Sequence, residues 1–248
     1  MPKKIKTILA LSLSANLLIL LIMAVFIYRR GGLSYILTKL PTIVGLKSPI
    51  RNYSAFYLQR KDLFNFLPNH KASIIFLGDS ITAQCEWSEF FHNSIIKNRG
   101  LAGDRTDGIL ARLNQIVKMR PHKIFIMIGI NDLLAGVSAT DTLANYREIL
   151  KQIKQESPET KIFVQSVLPI NKLSRTYLTY FSPLTNTDIA EFNSRLKSTA
   201  EEFGLEYIDL YSLLIKDGKL MTSYRFDGLH LKGEAYVIWK EAIERYVN

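Results

Sequence analysis

The runs ASIIFL (residues 72–77) and KIFIMI (123–128) restrict this chain more than any other feature. Neither alternates polar with apolar residues, so each reads as a strand buried on both faces. Each also ends abruptly, at Gly78-Asp79-Ser80 and at Gly129-Ile130-Asn131-Asp132, which suits a tight exit from a sheet. Lys161–Val167 is a third strand of this kind, and Ser94–Asn98 and Glu206–Asp209 are weaker ones. Helical spacing fills the gaps: Tyr53–Leu67, stopped by Pro68; Thr106–Met119, with Ile109, Leu110, Leu113, Ile116 and Val117 on one face; Asp141–Gln155; Asp188–Phe203; and Gly233–Val247. Such strands separated by amphipathic helices predict an α/β fold with a five-stranded parallel, flavodoxin-like sheet covered on both faces. Ligands of such sheets bind beyond the carboxyl ends of the strands.

Ahead of this domain, residues 7–28 (TILALSLSANLLILLIMAVFIY) are 22 in a row without a formal charge. As a helix they span roughly 33 Å, close to the hydrocarbon thickness of a bilayer. A cleaved signal peptide is the competing reading, but the run is longer than a usual apolar h-region and no A-x-A-like site follows it. A helix buried in the domain is another, but it would carry a polar stripe. The organisation expected is a short basic terminus (1–6), a transmembrane anchor (7–28), a membrane-proximal connector and helix (29–71), and a domain at 72–248. Lys3, Lys4 and Lys6 precede the span and Arg29, Arg30 and Lys39 follow it, so positive charge is nearly tied. A short basic amino terminus usually stays in the cytoplasm, which favours a single-pass chain with an extracytoplasmic domain. The segment has no cysteine, which excludes lipoprotein attachment there.

The net charge of +10 invites comparison with nucleic-acid binders, but half of the excess surrounds the apolar segment. The rest is dispersed among both signs, with no basic stripe interleaved with aromatics, so no nucleic-acid partner is expected. Cys85 is the single cysteine, which excludes an intrachain disulfide. No Cys, His or carboxylate cluster has ligand spacing, so no metal is expected.

Chain position sorts the four histidines. His70, His92 and His122 precede strands and so fall at the wrong end of the sheet, whereas His230 lies in a loop just ahead of the last helix. Ser80 follows a strand where a helix would start, so its N–H and the helix dipole face the expected site; a serine there can equally be a simple N-cap. A serine hydroxyl needs a base to become a nucleophile. His230 can take its proton while Asp227, three residues back along a turn, orients the ring; Asp227-Gly228-Leu229-His230 can also be only a polar turn. Acyl transfer further needs donors aimed at the oxyanion, each worth roughly 3 kcal/mol. Gly103, in NRGLAGD, offers an N–H and Asn131 a side-chain amide, against the plain reading of two turn residues. All these pieces fall at the carboxyl ends of separate strands.

Gly78-Asp79-Ser80, Gly103, Gly129-Ile130-Asn131-Asp132 and Asp227-Gly228-Leu229-His230 resemble, in order, the four blocks of the SGNH (GDSL-like) hydrolase family. The segment NRGLAGDRTDGILARL is similar to the second block of its platelet-activating-factor-acetylhydrolase-like branch. The resemblance runs from about Ser73 to the end, with Ile81 where the family name has leucine. It implies a three-layer α/β/α sandwich and metal-independent, cofactor-free ester hydrolysis. Ser80 is implied as nucleophile, His230 as base and Asp227 as its partner, with Ser80, Gly103 and Asn131 as oxyanion donors and Gly78, Asp79 and Asp132 in support. The substrate expected is a small-acyl, acetyl-like ester of a carbohydrate or similar small molecule. Lipid-directed hydrolysis or acyl transfer, and a catalytically silent binding module, are the alternatives. Tyr177, Tyr180 and Phe181, in Pro169–Thr187, are candidate pocket walls. A flavodoxin-like nucleotide or flavin binder shares the sheet, but its phosphate loop would be richer in Gly, Ser and Thr than GDSITAQCE.

Overall fold

The computed structural model describes residues 2–29, 53–67, 73–172 and 183–247. It divides into two compact units, Met1–Ser54 and Ala55–Asn248. In the first, α1 (Lys3–Arg29) is a helix of 27 residues. Seven successive side chains, Leu17 to Met23, are each more than half exposed, so the helix is bare on every side rather than amphipathic. Among the described residues, no helix is long and apolar enough to cross a membrane.

The second unit opens with α2 (Ala55–Phe66) and then alternates: β1 (Ile74–Gly78), α3 (Ser80–Ala83), α4 (Trp87–Phe90), β2 (Ile96–Gly100), α5 (Thr106–Leu110), α6 (Leu113–Val117), β3 (Lys123–Met127), α7 (Ile130–Leu134), α8 (Ala139–Glu156), β4 (Lys161–Gln165), α9 (Asn186–Glu202), β5 (Glu206–Ile208), α10 (Tyr211–Leu214), the antiparallel pair β6 (Ile215–Lys216) and β7 (Lys219–Leu220), and α11 (Gly233–Val247). The five long-range strands form one parallel sheet of order β2-β1-β3-β4-β5, the flavodoxin-like order. Every residue of β1 and β3 is buried, as the apolar runs require.

Register aligns Phe76, Phe125 and Phe163 across three strands. Their rings stack at 5.0 and 4.6 Å on one face. Trp87 of α4 stacks on Phe76 at 4.3 Å, and Trp239 of α11 meets Trp87 edge-on at 4.9 Å. The alternate residues Ile75, Leu77, Ile124, Ile126 and Val164 point to the other face, where Tyr146 of α8 donates its hydroxyl to the Ile126 carbonyl.

Several boundaries differ from the sequence expectation. The helix expected over Thr106–Met119 is two helices, because Arg112 leaves helical geometry (φ −126°) and turns its side chain into the interior. The strand expected at Ser94–Asn98 runs instead over Ile96–Gly100: the Asn93 side chain accepts from Ile95 N–H and holds a turn that delays pairing. Asn131 sits in α7 and not in an open turn. Helix α9 starts two residues early, at a capping box made by Thr185 and Asp188. The connector at 31–50, Pro68, His70 and the aromatics Tyr177, Tyr180 and Phe181 lie outside the described residues.

Two glycines let α3 lie against the strand ends. A Cβ on Gly78 would stand 2.3 Å from Thr82 Oγ1 and 2.4 Å from the Met127 carbonyl, and one on Gly100 would stand 2.4 Å from Ala83 N. Neither strand can yield without breaking the ladder. Gly78→Ala is therefore expected to destabilise the chain by about 3 kcal/mol, the upper end for overpacking. Urea denaturation checks this, and an unchanged midpoint would contradict the close approach.

Candidate active site

The segments leaving β2, β1 and β3 emerge side by side, because Gly100, Gly78 and Met127 are aligned in register. Ser80 follows β1, Gly103 follows β2, and Asn131 follows β3. Asp79 caps α3: its Oδ1 accepts the Ile81 N–H at 2.9 Å, which fixes Ser80 as the first helical residue. Ser80 is 6% exposed.

The loop before α11 brings its groups to the serine. Asp227 Oδ1 accepts the backbone N–H of Leu229 (3.0 Å) and of His230 (2.8 Å), with Gly228 at φ +96° closing the turn. Asp227 Oδ2 lies 2.7 Å from His230 Nδ1, and His230 Nε2 lies 2.9 Å from Ser80 Oγ. The unbroken chain from carboxylate to hydroxyl crosses 150 residues of sequence. Burial alone would raise the Asp227 carboxyl, but the hydrogen bonds from the His230 ring and the His230 and Leu229 N–H groups outweigh it and hold it below its ordinary value. A hydroxyl, an imidazole and a carboxylate in this relation can pass a proton from serine to histidine. The tetrapeptide is thus a turn that also pairs an imidazole with a carboxylate.

Gly103 has φ +75°, and a Cβ there would meet nothing within 4 Å, so glycine is needed for its backbone conformation and not for room. The Asn131 side chain is half-buried, and its Nδ2 donates to the Asp104 carbonyl at 2.9 Å. That bond fixes the amide plane, and an amide nitrogen carries a second N–H. Asp132 accepts from Thr106 Oγ1 (2.7 Å) and Thr106 N (3.0 Å), tying α7 to the start of α5. The Thr106 hydroxyl is held in turn by Asn145 Nδ2 at 3.0 Å. His92 and His122 stand at the amino ends of β2 and β3. The structure brings Ser80, His230 and Asp227 together at the carboxyl edge of the sheet, with Asp79, Asn131 and Asp132 on the segments beside them.

Other residues were not legible. Asp104 and Arg112 form a fully buried ion pair at 2.9 Å directly behind Gly103. Tyr57 of α2 donates to Asp104 Oδ1 at 3.0 Å. The available signal was the acid that ends LAGD, with no reason in the sequence to prefer it to the neighbouring Asp107. Two cavities of about 370 Å³ lie apart from Ser80, one between α8 and α9 and one lined by Leu133, Val137, Leu184 and Phe192. Among the described residues, no three His, Cys, Asp or Glu side chains are gathered to hold a metal ion.

A doubly wound sheet with such a serine at its switch point is the framework of a serine ester hydrolase. Residues 76–238 match the GDSL-like Lipase/Acylhydrolase family, and the chain belongs to it. Platelet-activating factor acetylhydrolase IB subunit alpha2 of Gallus gallus is 26% identical over 171 residues, covering 66% of this chain and 70% of that protein. N-acylneuraminate cytidylyltransferase of Streptococcus agalactiae is 24% identical over 188 residues, 76% of this chain; the chain spans only 42% of that enzyme's length. A Streptococcus pneumonia structure named for platelet activating factor is 26% identical, with a TM-score of 0.70 over 78% of this chain and 93% of that one.

Burial raises the Asp79 carboxyl to about 7, and the nearby Asp104 and Asp132 add to the shift while the Ile81 N–H opposes it. Burial likewise raises Asp132 to about 6, against the opposing hydrogen bonds from Thr106. A folded-state value above the unfolded one means that the native state keeps protons that the unfolded chain has lost between about pH 4 and 7. Stability accordingly falls as pH rises through that window, by at most roughly 1.4 kcal/mol per pH unit for one group. Asp79→Asn keeps an acceptor for Ile81 N–H and removes the titration. Its urea midpoint is expected to decline less between pH 4.5 and 7 than that of the wild type, and an equal decline would exclude Asp79 as the source.

Proposed function

We propose that this chain hydrolyses a small-acyl, acetyl-like ester through an acyl-enzyme on Ser80. The observation that carries the reading is the hydrogen-bonded chain Asp227–His230–Ser80 at the carboxyl edge of the sheet. Ser80 Oγ attacks the ester carbonyl carbon as its proton passes to His230 Nε2. Asp227 holds the ring through Nδ1 and stabilises the imidazolium. Negative charge on the carbonyl oxygen is met by the N–H groups of Ser80 and Gly103 and the amide of Asn131. Collapse breaks the ester C–O bond, and the departing alcohol takes the proton from His230. Water then attacks the acyl-serine with His230 as base, releasing the acid and restoring the hydroxyl.

The acetyl preference draws on the name of the Gallus gallus relative. The carbohydrate side draws on that of the Streptococcus agalactiae relative, which names N-acylneuraminate. A lipid-directed esterase or transferase is the second reading, favoured by the bare apolar surface of α1. Ser80→Ala is expected to abolish p-nitrophenyl acetate turnover, and His230→Gln to lower kcat by roughly 10³-fold or more. Fluorophosphonate labelling should require both residues. Full activity in Ser80→Ala would sink the assignment, and labelling absent from the wild type would point to a silent binding module.

Residues 7–28 serve, on this reading, as a single-pass anchor that leaves the catalytic domain outside the cytoplasm. Support comes from the 22 successive residues without a formal charge and from their basic flanks. A lysine near the middle of a span costs roughly 3 kcal/mol. The double substitution Leu17→Lys, Leu21→Lys is expected to move the full chain from the carbonate-washed membrane pellet to the supernatant. Retention in the pellet at the wild-type level would argue against the anchor.

A further inference from the structure

Helix α2 precedes the stretch that matches the family, residues 76–238, yet one of its side chains reaches the ground beneath the site. Tyr57 is 2% exposed and donates its hydroxyl to Asp104 Oδ1 at 3.0 Å. Asp104 Oδ2 accepts Arg112 Nε at 2.9 Å. Arg112 Nη2 in turn donates to the Arg99 carbonyl at 2.9 Å and to the Gly78 carbonyl at 3.3 Å, at the ends of β2 and β1. The Asp104 carbonyl itself holds the Asn131 amide at 2.9 Å. One buried residue therefore touches all three segments that bear the proposed oxyanion donors: Gly103 as its chain neighbour, Asn131 through its carbonyl, and the Ser80 segment through Arg112.

We propose that Tyr57 is a positioning residue for the reaction, acting through the Asp104–Arg112 pair to hold Gly103 and Asn131 in donor geometry; this rests on the oxyanion roles assigned above. A buried carboxylate is pinned by the directions of its donors. Asp104 takes donors from three elements: the Tyr57 hydroxyl, the Arg112 guanidinium and the Arg105 N–H, the last at 3.1 Å. Removing the hydroxyl leaves an oxygen short of a donor where water is excluded and frees the 103–105 turn to shift. Oxyanion donors act on charge that develops in the transition state, so small displacements weaken it more than the bound ester. The signature is a fall in kcat with KM nearly constant.

The test uses the full chain with p-nitrophenyl acetate and compares wild type, Tyr57→Phe, Asn131→Ala, the double variant and Ser80→Ala. Tyr57→Phe is expected to lower kcat about tenfold with KM within about twofold, with an unchanged pH–rate profile and a melting temperature lower by only a few degrees. In the Asn131→Ala background the same substitution should cost clearly less, because the donor it positions is gone. A kcat for Tyr57→Phe within about twofold of wild type, or strictly multiplicative effects in the double variant, overturns the proposal. Wild-type kcat in Ser80→Ala or Asn131→Ala overturns the underlying site reading instead, so the two failures are distinguishable. If Tyr57→Phe does not fold, Arg112→Lys, which keeps the charge but loses the fork, is expected to give the same split between kcat and KM. An unaltered kcat there also overturns the proposal.

Discussion

Five strands running in one direction cannot be joined by hairpins, so every connection must cross a face of the sheet and re-enter from the same side. This has two consequences here. Both faces are roofed by helices, which is why β1 and β3 are apolar along their whole length. All the carboxyl ends also gather at one edge, and with the order β2-β1-β3-β4-β5 the chain leaves to opposite sides around β1 and β3. A gap opens at that divergence, and Ser80 stands in it. The gap is narrow: α3 rests on the ends of β1 and β2 with no space for a side chain at Gly78 or Gly100. The serine is held by the same close approach that completes the sheet.

Beneath the loops lies an unusual amount of buried polarity. Asp79, Asp104, Asp132, Thr106 and Arg112 are all at most 1% exposed. Burying charge costs several kcal/mol per ion, and a buried pair is weak evidence for stability. An apolar set of equal volume would serve the core at least as well. What the polar set does is fix direction: Asp79 orients the first turn of α3, Asp132 ties α7 to α5, and the Asp104 carbonyl sets the plane of the Asn131 amide. Dipoles held in advance need no reorganisation when charge appears in the reaction. The burial of Asp79, whose carboxyl is raised to about 7 and whose Oδ2 finds no partner among the described residues, is part of that cost.

The sheet was readable because its strands are buried on both faces and so lack any competing pattern, and the placement of Ser80 and His230 at the carboxyl edge was readable because chain position separates the two edges of such a sheet. Legibility failed where a residue's role depends on a partner distant in sequence. Arg112 falls in a helical run and reads as solvent-facing, yet it is wholly buried because Asp104 and two strand carbonyls wait for it. Tyr57 reads as one aromatic in a mixed helix, and its partner is 47 residues away. The IKNRG sequence of β2 carries three polar residues, which hid its register: Asn98 binds the carbonyls of Thr82, Ala83 and Cys85, and Arg99 lies over the Phe64 ring at 4.9 Å. Local pattern reports local burial, and these residues are defined by contacts that pattern does not contain.

The aromatic layer beneath β1 has an optical consequence. Trp87 and Trp239 are the only tryptophans in the chain, and both are sealed on the same side of the sheet with ring centroids 4.9 Å apart. The two indoles, in edge-on contact at a 70° interplanar angle, share one buried environment. Emission excited at the red edge of the band comes from that layer alone. Helices α8 and α9, on the opposite side, contribute nothing to it. Intrinsic fluorescence thus follows the packing of α4 and α11 against the sheet and is blind to loosening of the other helical layer.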